Sequence, residues 1–526
     1  TVGTTITGRQ ITETPIASRD ALDLVGLLPG TATVGRPRTS SINGLPKGSL
    51  SITIDGVDVQ DNVLRSSDGF FTYVRPRVDA IDEVTVSTAN PGAESGGDGA
   101  VQIKFVTRRG TNDYTGGVFW QHRNTALNSA YWFNNRDLKP LPGQTDAPRN
   151  VIQLNQYGGR FGGPLPFLNF GEGGGPMVNS GKNRSFFFFN YEEFRQPESQ
   201  TRTRTVLTPD AQAGIFKYIT SGGTQQVNLY QIAANTPGQV ATVDPSVAAV
   251  LARIRSSLGT TGTLTNIVNS AGAITDPNRQ LYNFTPSGGQ LRKFLALRFD
   301  VNITKDHSFE FITNQQEFVP SKDFLNSQDE RFPGLPAYSQ GSVRDSYSMA
   351  LRSTFGKSIV NEARYAISTG LSTFSPEISA ADFAYSKGFL LSIDAASITT
   401  PYSRNSSSNR NTPTYDFTNN VTWIAGNHSI GFGGQIKLIR AESSAIGRIV
   451  PTISFGLLSA DSAAFGMFST TTMPGASSGQ LTEARNLYAT LIGRVTGYTS
   501  TAYLTADGTY KENAEQSRLS KQYTYG

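Results

Sequence analysis

The sequence predicts a mainly β protein: an N-terminal α+β domain over residues 1–110, followed over 111–526 by a partial transmembrane antiparallel β-barrel. Three observations lead there. Long segments alternate between apolar and polar residues, the period of a strand with one greasy face. Short turns and long polar stretches follow one another along the chain, the way transmembrane barrels distribute their loops. No apolar run approaches the roughly 18 residues that a membrane-spanning helix needs, so any crossing must be made by strands.

Composition supports the same class. With 526 residues, 53 of them Gly, 10% aromatic and 17% charged, the chain is turn-rich, aromatic-rich and poorer in charge than the roughly 25% of an ordinary globular domain. Its net charge of +5 is spread over the whole length, without the basic block that nucleic-acid binding would use. The absence of Cys excludes disulfides, thiolate metal sites and cysteine nucleophiles, and suits passage through an oxidising compartment.

The first 110 residues read as a small mixed domain. Ala21, Leu22, Leu24, Val25 and Leu28 have helical spacing, with Ser18 as N-cap and Pro29-Gly30 as the stop. Leu50, Ile52 and Ile54 alternate with polar residues up to Asp55-Gly56, and Val57 and Val59 resume the alternation, which predicts a tight hairpin. A third strand covers 81–86, and a fourth starts at Val101, Ile103 and Phe105 after a loop holding Gly92, Gly96, Gly97 and Gly99. That loop neither opens a helix nor ends in Gly-Lys-Ser/Thr, so nucleotide binding is disfavoured.

Beyond residue 110 three hairpins follow one rule. Leu295, Leu297, Phe299, Val301 and Ile303 oppose Ala296, Arg298, Asp300 and Asn302, and a turn at 304–307 leads into Phe309 and Phe311. The pattern returns around Tyr347, Met349, Leu351 and Phe355 with Ile359, Ala363, Tyr365 and Ile367, and again around Tyr415, Phe417, Val421 and Trp423 with Ile430, Phe432, Ile436 and Leu438. Each strand is read as about ten residues, enough for a tilted crossing. Segments 117–123, 152–161 and 184–194 are also placed in the wall, 320–344 and 369–413 are read as long outer loops, and 208–290 as a large external insertion with a helix at 247–258. A soluble β-sandwich would alternate too. It explains poorly why Arg298, Asp300, Arg352, Glu362, Arg364 and Lys437 lie opposite aromatic rows.

The ordered set Ile54-Asp55-Gly56-Val57, then Ile81-Asp82-Glu83-Val84-Thr85-Val86, then Gly96 to Gly99 leading into Ala100-Val101-Gln102-Ile103, and finally Thr107-Arg108-Arg109-Gly110, resembles the plug domain of TonB-dependent outer-membrane receptors. Asn155-Gln156-Tyr157-Gly158, Gly162-Gly163-Pro164 and Phe186 to Glu193 resemble the Oar-like branch of that family. The resemblance implies a 22-stranded barrel with a plugged lumen in the outer membrane of a Gram-negative-type bacterium. It further implies a TonB-type inner-membrane energising complex and outer-membrane lipid as partners, an imported ligand of unknown identity, and no cofactor or nucleic acid. Compared with the family, no TonB box or signal peptide is visible, and the final residues 523–526 look like the opening of another strand, so the chain reads as trimmed at both ends.

Few residues suggest chemistry. His122, His307 and His428 are far apart, and no Ser-His-Asp set, carboxylate pair or nucleotide signature is present, which argues against an enzyme. Asp55, Asp58 and Asp61, three apart, lack the Gly-centred loop of a calcium site and are read as turn and plug–wall hydrogen-bonding groups. Asp82 and Glu83 belong to the plug motif; Glu83, Arg108 and Arg109 are the candidates for polar contacts between plug and barrel. Active import is the first expectation, with the 369–413 loop capturing ligand. A surface adhesion or scaffold role is the alternative, and a passive porin is disfavoured because it has no use for residues 1–110.

Overall fold

The structure, a computed structural model, describes residues 2–16, 18–32, 40–89, 101–127, 129, 152–168, 178–199, 201–259, 262–324, 329–376, 390–401, 407–448, 452–499, 503–511 and 513–525. Gly96, Gly97 and Gly99, with the rest of their loop, lie outside the described residues.

The N-terminal domain is a five-stranded sheet built from β1 (Val2–Thr7), β2 (Leu50–Ile54), β3 (Val57–Asp58), β4 (Ile81–Ala89) and β5 (Val101–Thr107), in the order β1-β4-β5-β2-β3. Only β2 and β5 are parallel neighbours. Asp55 and Gly56 both take positive φ, 51° and 80°, the twist a two-residue hairpin needs. Ile52, Ile54, Val84, Val86, Ile103 and Phe105 pack with Leu22, Leu24 and Val25 into the domain's own core. The helix expected at 18–28 is a 3₁₀ segment, Ala21–Leu27, and its N-cap is Asp20 rather than Ser18. The Asp20 carboxylate accepts from the Leu22 amide at 3.1 Å, while Ser18 donates to Asp23 instead.

A second sheet of eleven strands forms a curved wall. Its members are β6 (Thr115–Asn124), β7 (Gln153–Pro164), β8 (Ser185–Ser199), β9 (Ser287–Asn302), β10 (His307–Lys322), β11 (Tyr338–Phe355), β12 (Ile359–Pro376), β13 (Ser407–Asn411), β14 (Thr414–Ala425), β15 (His428–Arg448) and β16 (Asn513–Tyr525). Neighbours in sequence are antiparallel neighbours in space, except that β13 and β14 occupy one place between β12 and β15. Thr412-Pro413 separates them, and the prolyl carbonyl accepts from the Arg440 amide at 2.9 Å. The segment 523–525, expected to open a strand, is the last part of β16, which begins ten residues earlier at Asn513.

The wall is inside-out relative to a soluble sheet. Met349, Leu351, Phe355, Tyr365, Phe417 and Phe432 are exposed, whereas Glu192, Arg298, Asp416 and Lys437 on the opposite face are buried. A sandwich would bury the first set, so that alternative falls; lipid is the solvent that accepts it. Strands are longer than expected. β11 and β12 have 18 residues each and β15 has 21, against the roughly 9–11 that cross a bilayer, so the wall continues outward past the lipid. Hence 320–344 and 369–413 are only partly loop: their polar residues include the outer ends of β10, β11 and β12.

The outer connections fold together. The insertion between β8 and β9 carries the helix Pro245–Ser257, capped by the Asp244 carboxylate. Its Val250, Leu251 and Ile254 share one apolar cluster with Phe332, with Ile393 and with Phe468, Leu487 and Tyr488 from three other connections. None of these loops could bury a core alone, because short segments expose too much of their surface. The Tyr488 hydroxyl donates to the Val240 carbonyl at 2.7 Å, and burial pushes it up to about 12. Neutral Tyr488 therefore stabilises the cap fully below the ordinary value of 10.0, and that stabilisation is lost as pH rises through about 12. Tyr488→Phe should remove this alkaline sensitivity, read by limited proteolysis of the cap across the pH range. Phe468→Ala, beside Tyr488 with ring centroids at 5.3 Å, should destabilise the cap by roughly 3–5 kcal/mol while the wall keeps its heat-dependent gel mobility.

Candidate functional site: the interface between the N-terminal domain and the wall

Two rows of charge meet where the N-terminal domain lies against the concave face of the wall. In the hairpin region Asp55, Asp58 and Asp61 each face a wall cation: Arg298 of β9 at 3.9 Å, Lys437 of β15 at 3.4 Å and Arg410 of β13 at 2.7 Å. The three aspartates thus have protein cations rather than a shared ion. Asp55 also accepts from the Thr107 amide at 2.8 Å and from its hydroxyl at 2.5 Å. Burial nevertheless raises its carboxyl above the ordinary carboxylate value.

Arg364 of β12 closes over the hairpin tip. It donates to the Asp55 carbonyl at 2.9 Å and pairs with Glu310 at 2.7 Å and Glu362 at 3.1 Å. A Cβ at Gly56 would meet the Arg364 Cδ at 3.1 Å, so this glycine serves both the turn and the close approach of the wall. Higher up, Tyr73 is fully buried against Gly370, whose added Cβ would lie 2.1 Å from the ring, and its hydroxyl meets Thr412 at the break between β13 and β14.

On the other side a buried carboxylate of the wall meets arginines of the N-terminal domain. Glu192 of β8, with no exposed side-chain surface, pairs with Arg77 and lies 3.7 Å from Arg19. Gln156 of β7 donates to the same carboxylate. Asp79 takes Arg19 and, at 2.9 Å, Arg160 of β7. Apolar contact is slight: among the described residues, the one buried cluster shared by the two bodies is Ala80, Phe188 and Ala296.

Of the sequence candidates, Asp55, Asp58 and Asp61 sit in this interface, whereas Arg108, Arg109 and Glu83 sit beside it. Arg108 donates to the carbonyls of Ile81 and Gly8, at 3.1 and 3.3 Å, and reaches Asp82 at 3.8 Å, all inside the N-terminal domain. Its guanidinium is drawn back because those carbonyls lie at the domain's own sheet end. Arg109 is exposed, and exposed Glu83 accepts from Thr85 at 2.8 Å. Sequence reasoning missed Arg77, Asp79 and Glu192. Their signal was a charge set within apolar neighbours, as in Arg77-Val78, and a carboxylate on a strand otherwise rich in Phe. His122, His307 and His428 lie on three different strands. Among the described residues no group of His, Asp or Glu is arranged to hold a metal ion.

Residues 106–523 match the model of the outer membrane beta barrel domain. The chain belongs to this outer-membrane family. No curated protein matches it. Among solved structures it is similar to the outer membrane transporter YddB from Escherichia coli, with TM-score 0.51 and 10% identity over 86% of this chain and 50% of that one. It also matches the ferric yersiniabactin uptake receptor FyuA from Yersinia pestis, with TM-score 0.40 and 9% identity over 100% of this chain and 61% of that one. This outer membrane beta barrel chain therefore spans about half the length of YddB, and at such identity the likeness to YddB is one of fold alone.

Removing Arg77 should leave Glu192 buried with its nearest cation gone. Arg77→Met is expected to cost roughly 3–5 kcal/mol of docking stability, measured as earlier release of the N-terminal domain to protease in denaturant. The double change Arg77→Met with Glu192→Leu should recover most of that loss, whereas Arg109→Ala should shift it by less than about 0.5 kcal/mol. Equal losses in single and double variants would contradict this account of the interface.

Proposed function

We propose that the protein imports a ligand across the outer membrane, with residues 1–110 acting as a plug that gates the lumen and an inner-membrane complex of TonB type supplying the force. The observation that carries this reading is the chemistry of the interface. A permanent stopper would be held by an apolar core, as the N-terminal domain holds itself together. Here the two bodies meet largely through matched charges and hydrogen bonds, and among the described residues the one buried apolar cluster they share is Ala80, Phe188 and Ala296. Such contacts are exchanged for water at low net cost once the interface opens, because each ion is rehydrated. A pulled domain can then leave the wall without unfolding first.

In this reading Asp55, Gly56, Asp82 and Glu83 belong to the plug motif, Gly96, Gly97 and Gly99 to its loop, and the outer connections collect the ligand. The adhesion or scaffold alternative draws support from the shared core of the cap, which makes a folded surface suited to holding a partner. Uptake that stops when the proton-motive force is collapsed separates the two.

The direct test uses the full-length protein refolded in detergent, with and without residues 1–110. Both forms should run as compact species that shift on heating, and deletion alone should open a large conductance in a planar bilayer. A closed bilayer after deletion, or folding in plain buffer without detergent, would remove the import reading.

A further inference from the structure

Asn190 stands apart on the inner face of the wall. It lies on β8 directly opposite Arg160 of β7 and Ala296 of β9, two residues after Phe188 and two before Glu192. It has no exposed surface. Neither the nitrogen nor the oxygen of its side-chain amide has a hydrogen-bond partner among the described residues.

The surroundings explain why. Ala80 of the N-terminal domain covers this point of the wall, packed with Phe188 and Ala296 in the one buried apolar cluster that the two bodies share among the described residues. The backbone that Ala80 brings is already used: its amide donates to the Arg77 carbonyl at 2.9 Å, and its carbonyl accepts from the Arg108 amide at 2.8 Å. Arg160 turns its guanidinium to Asp79 at 2.9 Å. The backbones of β7 and β9 are paired with β8 itself. A group that can both donate and accept is thus pressed against methyl and phenyl surface.

The neighbourhood shares the defect. Gln156 gives its Nε2 to Glu192, and its Oε1 is buried without a partner. The Nε atoms of Arg19 and Arg77 are buried unbonded, with the guanidinium faces against Phe119 at 3.5 Å and Phe294 at 4.3 Å. By contrast, Arg298, Arg364 and Lys437, which meet the hairpin, carry no buried atom of this kind. Buried polar groups in native proteins are nearly always bonded, and an unfilled one is a cost that opening removes, since water then takes the amide.

We propose that Asn190 is a release element: its burial without a partner holds the docked arrangement close in free energy to the opened one, and so makes the N-terminal domain easy to part from the wall. The import reading enters only in making that parting a working step; the energetics of docking stand or fall without it.

The test is the rate at which protease cuts the N-terminal domain of the full-length protein in detergent, a measure of the opened fraction when closing outpaces cleavage. Asn190→Leu keeps the branched shape and removes the polar atoms; it should slow cutting by about tenfold, the scale set by one unpaired buried group. Asn190→Val, which adds less volume, is made beside it in case leucine overfills the site. Asn314→Leu on β10 is the comparison, because that buried amide donates to Ser346 at 3.3 Å; it should not slow cutting. The heat-shifted band should be intact in all three. Slower cutting in either Asn190 variant, with none in Asn314→Leu, supports the proposal. Cutting at or above the wild-type rate in both Asn190 variants overturns it, and so does equal slowing by Asn314→Leu, which would mean that any added apolar surface tightens docking. Conductance after deletion of residues 1–110 does not involve Asn190, so an opened channel beside unslowed cutting refutes the release element alone.

Discussion

A charge withdrawn from water has to be matched, and at the inner face of this wall the match is made across two bodies. Asp55, Asp58 and Asp61 sit on one hairpin region, while their cations, Arg298, Lys437 and Arg410, come from three different strands. Glu192 answers Arg77 with the signs exchanged. Since successive residues of a strand point to opposite faces, a slip of one residue in any of these strands would turn its charge toward lipid. Strand register, placement of the N-terminal domain and burial of charge are therefore one condition rather than three.

The same condition accounts for the breaks in regularity. β13 and β14 would be a single strand but for Thr412-Pro413, and that break sets Thr412 on the buried Tyr73 hydroxyl. Gly370 has no side chain where the Tyr73 ring passes. Gly56 has none where Arg364 crosses the turn. Outside the membrane the logic changes. Water is present, and the connections gather around apolar residues such as Phe468 and Leu487 instead.

Much of the wall was legible because lipid on one face and polar lumen on the other impose a strict period of two, as in Leu295 to Asn302. The hairpin at Asp55-Gly56 was legible because few residue pairs accept positive φ at both positions. The helix expected at 247–258 runs from Pro245 to Ser257; its start was missed by two residues because Pro245 and the Asp244 cap, which mark it, went unused. Strand ends were not legible: beyond the lipid both faces of β11 and β12 turn polar, and a polar strand reads as loop. The 3₁₀ segment Ala21–Leu27 has the apolar spacing of an α-helix and differs only in its hydrogen bonds, which spacing does not report.

By itself the sequence determined that this chain is a wall of alternating strands with a small α+β domain before it, because those features are local and repeat every few residues. It also determined which wall positions carry charge toward the lumen, Arg298, Glu362, Arg364 and Lys437 among them. Only the tertiary structure decided which charge meets which. Arg108 looked available and turned to its own sheet, while Arg77, Arg410 and Glu192 became partners across hundreds of residues of chain or across a domain boundary. The joining of four outer connections into one core was decided in the same way. Pairings of that range depend on where strands bring residues in space, and no period along the chain encodes a distance between two separate bodies.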